Sequence, residues 1–451
     1  MGATVVALQA ASFAFARASG FSHISDDDYA RVTIAQTWAH APRLDPSGTS
    51  WLPLPFWWNG AWMMLLGRTL TVAHVVALAS SLMATAALFG AARRALTNDV
   101  LAAGLALACA CSPWAVWTAS STTPEYSTMA LVGVALLLTA DDAPSSAWIA
   151  AACALGACLS RYEAWPAAAV IACALAWRAL RSSRGAGEAT RFSPYAAAAL
   201  AAAGPLAWMA WNAHAHGDAL HFFARVSRFR ALHAGQGGET ELPFTTRIAF
   251  YPRALLDEAP ELACLFAAAI ASGVFLMART RGRTRTRLVP TALATMLAVV
   301  AFDVAGSVRD GAPTHHPTRA LLVMVPCAAA LCAEAWIWGR EHARTAAISA
   351  ALVTAALCVA ASARTWTHAT PGTSPEESRV AAIALGETLR REDAPRVTLY
   401  PCGYEHFATI AAFGFPERVT TLPARGNGAE AKAARKWECP TRMSNVPTNE
   451  L

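Results

Sequence analysis

Eleven runs of mostly apolar residues, each near the length of a bilayer-spanning helix, dominate this 451-residue chain. They lie near 4–19, 70–91, 100–117, 125–140, 146–160, 164–180, 194–211, 260–278, 288–306, 319–338 and 345–363. Crossing a hydrocarbon core takes about 20 such residues, with a range of about 17–25. Within lipid a single segment satisfies its own backbone polar groups only as a helix. The pattern predicts an all-α polytopic membrane protein with about 11 transmembrane helices. Composition agrees: 15% of residues are charged and 55% hydrophobic, against about 25% and about 45–50% in soluble chains. That excludes a disordered chain and argues against an ordinary soluble enzyme. The first run holds Arg17 and the fifth is short. The first also lacks the basic start and small-residue cleavage site of a secretory signal, so it reads as a retained anchor.

Short loops rich in positive charge stay cytoplasmic. Lys is confined to Lys432 and Lys436, so Arg carries the signal. Arg93 and Arg94 follow the second run, and Arg178, Arg181, Arg184 and Arg191 follow the sixth. Arg279, Arg281, Arg283, Arg285 and Arg287 separate the eighth from the ninth, and Arg340 and Arg344 the tenth from the eleventh. With a cytoplasmic N-terminus and eleven spans, all four clusters fall on the cytoplasmic side; one missed span would put some of them outside. The expected location is a bacterial-type inner (plasma) membrane, with the C-terminus extracytoplasmic. Three long polar regions then face outward: about 20–69, about 212–259 and the tail 364–451. Because Arg is scattered among loops, nothing points to a nucleic-acid partner.

The first external region opens with Asp26, Asp27 and Asp28 directly behind the first span. Adjacent carboxylates repel one another and raise at least one pKa, which suits a general base or a divalent-cation site. The same residues are also good N-terminal neighbours for the helix expected over 28–40. Next comes a Pro- and Trp-rich stretch, Asp45 to Trp58, including Trp51. It is predicted to be non-helical and to lie along the interface, either as an aromatic belt or as the wall of a sugar or lipid groove.

The acidic pair behind the first span, a short amphipathic helix and a W-L-P-L-P loop before the second span together resemble the GT-C superfamily of integral-membrane glycosyltransferases, in particular the protein O-mannosyltransferase and aminoarabinose-transferase-like group. The resemblance covers roughly 1–340 and is strongest over 20–95. The family's acidic signature fits Asp26-Asp27-x-Tyr29 best, and Asp27-Asp28 is a second register. It implies a transmembrane GT-C-like module over 1–363 and a small extracytoplasmic segment over 364–451. It also implies a donor sugar carried on a polyprenyl phosphate, transferred with inversion to an acceptor glycan, lipid or protein, with a carboxylate as base. The departing lipid phosphate then needs compensating positive charge. No cofactor is required by this chemistry; a divalent cation (Mg or Mn) on Asp26 and Asp27 is the open alternative.

Other positions divide between bland and functional readings. Arg161 and Glu163 either pair at a span end or, as the family's R-x-E/D element implies, contact donor phosphate or sugar. His315, His316 and Arg319 precede the tenth span, either as a turn fixed by Pro317 or as a phosphate site; the resemblance favours Arg319, with His316 beside it. Phe222, Val226 and Phe229 recur at helical spacing with Arg225, Arg228 and Arg230 on other faces, which predicts an interfacial helix against membrane lipid, with Arg225 a candidate guide for the donor phosphate. Glu125 is predicted external, and Asp303 and Glu334 are carboxylates inside apolar runs.

The tail reads as strand 396–400, helix 404–413 and strand 418–422, a single βαβ-like unit expected to pack on the external loops. Nine of the 11 Cys lie in apolar runs as small hydrophobes, whereas Cys402 and Cys439 are a disulfide candidate if the tail is outside. The rivals to transfer are a lipid or solute transporter or flippase, and a structural subunit of an envelope-assembly complex. Transporters commonly show internal repeats and broken midplane helices; the sequence shows no repeat.

Overall fold

The computed structural model describes residues 1–48, 50–182, 188–233, 243–279, 287–310, 316–368, 370–373, 378–400 and 403–422. The chain forms two compact units: Met1–Ala16, Ser80–Ala119 and Pro124–Thr370 make the first, and Arg17–Ala79, Ser120–Thr123 and Pro371–Leu451 the second. The helices begin with α1 (Gly2–Ala18), α2 (Asp27–His40), α3 (Leu54–Leu66), α4 (Leu70–Leu96), α5 (Asp99–Cys111) and α6 (Pro113–Ala119). They continue with α7 (Glu125–Leu138), α8 (Pro144–Cys158), α9 (Ala164–Ser182), α10 (Glu188–His216), α11 (His221–His233) and α12 (Phe244–Glu258). The remainder are α13 (Pro260–Arg279), α14 (Leu288–Asp310), α15 (Thr318–Leu321), α16 (Val325–His342), α17 (Arg344–His368), α18 (Val380–Arg391) and α19 (His406–Phe413), with strands β1 (Val397–Leu399) and β2 (Val419–Thr421).

A helix stands at each of the eleven apolar runs, and the protein is a multi-pass membrane protein. Among the described residues, five helical segments are long and apolar enough to span alone: Leu70–Leu96, Pro260–Arg279, Leu288–Arg309, Thr318–His342 and Arg344–His368. The pair α5–α6 makes a sixth, and α1, α7 and α8 are shorter apolar helices. The third run differs from a single helix. It bends by 73° between α5 and α6, because Pro113 cannot continue the helix and drives Ser112 to an extended conformation (φ −67°, ψ 148°). Asn98 starts α5 by accepting the amides of Val100 and Leu101, both at 3.0 Å. Within the first unit Thr318–His342 is the central segment, 72% buried, whereas none of the apolar window of α17 is buried, as for a helix at the periphery that packs along one side. The helix α16 packs on α5, α7, α13, α14 and α17.

The polar contacts of this unit separate its two ends. At one end, the loop between α7 and α8 gathers arginines from three of the loops expected to be cytoplasmic. Arg178 donates to the carbonyls of Asp141, Asp142 and Ala143, Arg287 pairs with Asp142 at 2.7 Å, and Arg94 reaches the Ser146 hydroxyl at 3.4 Å. At the other end Arg161, Glu125 and Arg319 come together. The count of spans requires both groupings.

The second unit is built on α2 and α3. Tyr29, Ala30, Val32 and Ala35 of α2 share a buried cluster with Met63 of α3 and with Phe407, Ala408, Ala411 and Ala412 of α19. The tail therefore packs on the first polar region. The strands β1 and β2 pair in parallel, Val397 opposite Val419, joined through α19. The helix α18, which packs on α19, was not foreseen. The Asp45–Trp58 stretch is also less irregular than expected, since α3 already begins at Leu54. Pro53 is its N-cap and Pro55 lies in its first turn, positions whose N–H groups have no helical partner to lose. Gly414 closes α19 with φ +84°, where a Cβ would meet the carbonyl of Arg68 at 2.3 Å.

Candidate functional site

In the second unit the three adjacent aspartates have different surroundings. Asp28 is buried, 4% exposed. Its Oδ2 accepts the amides of Ile24 (3.1 Å) and Ser25 (3.3 Å), and its Oδ1 accepts the amide of Thr122 (3.1 Å). The Thr122 hydroxyl donates to the Asp28 carbonyl at 2.9 Å. Asp28 therefore latches the loop Ser22–Asp26 and residue Thr122 to the start of α2. Asp26 occupies the N-cap position without a side-chain capping bond. Its carboxylate is instead forked by Arg379, Nε to Oδ1 and Nη2 to Oδ2, both at 2.8 Å. Hydrogen bonding to Asp26 holds the Arg379 guanidinium above its usual range, against some desolvation. Asp27 is partly exposed in the first turn of α2.

Tyr29 lies behind this loop, its hydroxyl 3.4 Å from Nδ1 of His23. Burial, then the charges of Asp28 and Asp26, push its phenol well above the usual range. Gly372 (φ +68°) closes over the loop so tightly that a Cβ would meet the His23 carbonyl at 2.3 Å. Ser22 donates to the Gly372 carbonyl at 3.0 Å. Trp51 lies against Arg31, whose guanidinium stands 4.4 Å from the centroid of the indole and 5.8 Å from that of Phe56. Sequence reasoning missed Arg31 and Arg379. Arg31 was legible, being one helical turn from Asp27 and Asp28; Arg379, 353 residues from Asp26, had no local signal.

In the first unit Arg161 sits in the turn between α8 and α9. Its guanidinium forks Glu163 (Nε to Oε2 2.9 Å, Nη2 to Oε1 2.6 Å) and donates through Nη1 to Oε1 of Glu125 at 2.5 Å. Desolvation works against this cation, but Glu163 and then Glu125 outweigh it and hold Arg161 above its usual range. Glu125 starts α7, its side chain 1% exposed, and Nη1 of Arg319 stands 3.7 Å from the same Oε1. Asp303 of α14 is buried within the electrostatic reach of Glu163 and Arg161. Thr318 donates to Oε2 of Glu258 at 2.9 Å; burial raises the Glu258 carboxyl despite that bond and the charge of Arg319. Four carboxylates thus surround two arginines. An anion at Arg161 would have to share it with Glu163 and Glu125.

His316 takes a left-handed conformation (φ +46°) and sets its ring 5.1 Å from Trp114; His315 lies outside the described residues. The segment that follows is not one continuous α-helix. The four-residue α15 passes through a 3-10 turn, Leu322–Met324, into α16. Phe222 of α11 is 1% exposed, stacked on Tyr162 at 4.9 Å, so this part of the α11 apolar face packs on protein. Arg225 is half-buried on the same helix. Glu334 lies in α16. Cys402 and Cys439 fall outside the described residues, where nothing bears on their pairing.

Arg379 forks Asp26, backbone amides occupy both oxygens of Asp28, and among the described residues no three His, Cys, Asp or Glu come together as metal ligands.

The fold is similar to that of a solved membrane transferase. The crystal structure of ArnT, an aminoarabinose transferase from Cupriavidus metallidurans, bound to undecaprenyl phosphate, superposes with a TM-score of 0.57 at 13% identity. The match covers 96% of this chain and 87% of ArnT. The apo oligosaccharyltransferase of Archaeoglobus fulgidus matches with a TM-score of 0.49 at 12% identity, over 93% of this chain and 64% of that one. No protein-family model matches the sequence, and a search of curated proteins finds no significant match.

Proposed function

We propose that this chain is a membrane glycosyltransferase that moves a sugar from a polyprenyl phosphate to an acceptor hydroxyl or amine, with inversion at the anomeric carbon. The observation that carries this reading is the arrangement at the acidic loop: in a GT-C fold, a carboxylate at the start of α2 is fixed in orientation by Arg379, while its neighbour Asp28 is consumed as a latch. Asp26 is the base. It takes the acceptor proton as the acceptor atom bonds to the anomeric carbon and the carbon–oxygen bond to phosphate breaks, its electron pair leaving with the lipid phosphate. Within the first unit, Arg319 and His316 are the residues we assign to the lipid phosphate, as positive charge and donors for a developing anion, and Glu125 and Glu163 hold Arg161 there as a fixed cation. A phosphate monoester leaving group needs no metal where arginine neutralises it. Asp26 and the tail face the extracytoplasmic side, with the N-terminus in the cytoplasm.

Transport is the rival, and the break between α5 and α6 is the feature that would favour it. Val100–Ala119 carries no charged side chain, however, and Trp114 and Trp117 fill the break as buried core. The test is a deletion strain whose envelope glycans and lipid-linked sugars are compared with the parent by mass spectrometry. Transfer requires that one polyprenyl-phosphate sugar accumulates while one glycan loses the same sugar. Unchanged pools in both fractions would overturn the proposal.

A further inference from the structure

We infer that Arg379 is a positioning residue for Asp26, so that the segment after the last span is a working part of the acidic site. This rests on Asp26 being the base. The two side chains meet as a two-bond fork, each bond at 2.8 Å, and both are partly shielded, 23% and 20% exposed. A fork of this kind fixes the plane of the carboxylate and uses one lone pair on each oxygen, leaving the others for an incoming hydroxyl.

Arg379 is itself held at a defined place. It is the N-cap residue of α18, α18 packs on α19, and α19 is tied to α2 by Gln36 Nε2 donating to the Ala411 carbonyl at 2.7 Å. On the other side Gly372 is pinned against Ser22 and His23. The tail thus meets the acidic loop at two places, through Gly372 at Ser22 and His23 and through Arg379 at Asp26. A lysine in this place would bring charge without the fork.

The experiment uses the full chain in proteoliposomes, with the polyprenyl-phosphate sugar pool extracted from the deletion strain as donor and membranes of that strain as acceptor. Arg379→Ala and Arg379→Lys are compared with wild type and with Asp26→Asn. The expected result is a fall in turnover of about tenfold to a hundredfold in Arg379→Ala, the size of effect that follows from a small misplacement of a reacting group. Arg379→Lys recovers only part of it. Undecaprenyl phosphate binding and the thermal midpoint stay near wild type, and added methylguanidinium restores rate to Arg379→Ala and not to Asp26→Asn. Wild-type turnover in Arg379→Ala, beside an inactive Asp26→Asn, would sink this inference and leave the base intact. Loss of turnover together with thermal stability, with no rescue by methylguanidinium, would also sink it, since that is the behaviour of a purely structural clamp. Full turnover in Asp26→Asn would instead remove the reading on which it rests.

Discussion

Replacing Asp28 separates architecture from chemistry within three consecutive aspartates. In Asp28→Ala three backbone amides, those of Ile24, Ser25 and Thr122, lose their acceptor. The site admits little water, Asp28 being 4% exposed. At about 1–3 kcal/mol for each stranded buried donor, with Ser25 partly rescued by solvent, the cost is about 2–6 kcal/mol. If the second unit melts as one body, the thermal midpoint falls by roughly 5–20 °C. Asp28→Asn keeps one acceptor oxygen but turns an amide toward a donor, so it should cost about 1–3 kcal/mol. Asp27→Asn, in a partly exposed first turn, should stay within about 0.5 kcal/mol of wild type. The assay is thermal unfolding of the purified protein in detergent, alongside turnover of each variant. A midpoint unmoved in Asp28→Ala, with turnover abolished, would refute the latch and return Asp28 to the chemistry.

Two further outcomes follow from the same contacts. Glu125→Ala leaves Glu163 as the carboxylate bonded to Arg161 and removes the one nearest Arg319, so stability should fall by about 1.5–3 kcal/mol, the usual size of a hydrogen bond to a charged group; a variant as stable as wild type would show that Arg161 is not held there by Glu125. Burial tends to raise the Glu417 carboxyl, but its bonds to Arg68 at 2.8 and 3.0 Å dominate and hold it below the usual range. A carboxyl lowered by folding stabilises above its unfolded pKa of about 4.3 and loses that contribution as pH falls through the folded value. Proteolysis of the tail should therefore accelerate below about pH 4.3 in wild type and lose that part of its pH dependence in Glu417→Gln; equal pH profiles would count against the tether.

Hydropathy located all eleven helices because lipid tolerates little else, and the arginine pattern required the grouping of Arg94, Arg178 and Arg287 around one loop. The break at Pro113 was legible in the residue itself. Placing Leu54–Trp58 outside a helix gave proline the wrong weight, since in a first turn it costs no hydrogen bond. The acidic loop could be found but not resolved. Asp26, Asp27 and Asp28 are equivalent as letters, and what distinguishes them comes from Thr122, 94 residues beyond Asp28, and from Arg379, 353 residues beyond Asp26. Arg161 and Glu163 were readable as a local pair; their competition with Glu125 and Arg319 depends on how α7 and α15 converge. No spacing along the chain encodes such meetings.

The most direct test is the rate at which purified chain in proteoliposomes converts the lipid-linked sugar of the deletion strain to free polyprenyl phosphate and glycosylated acceptor, measured for wild type and for Asp26→Asn of matched thermal midpoint. Transfer with Asp26 as base requires rapid conversion by wild type and none above background by Asp26→Asn. Full conversion by Asp26→Asn, or none by wild type, would contradict it.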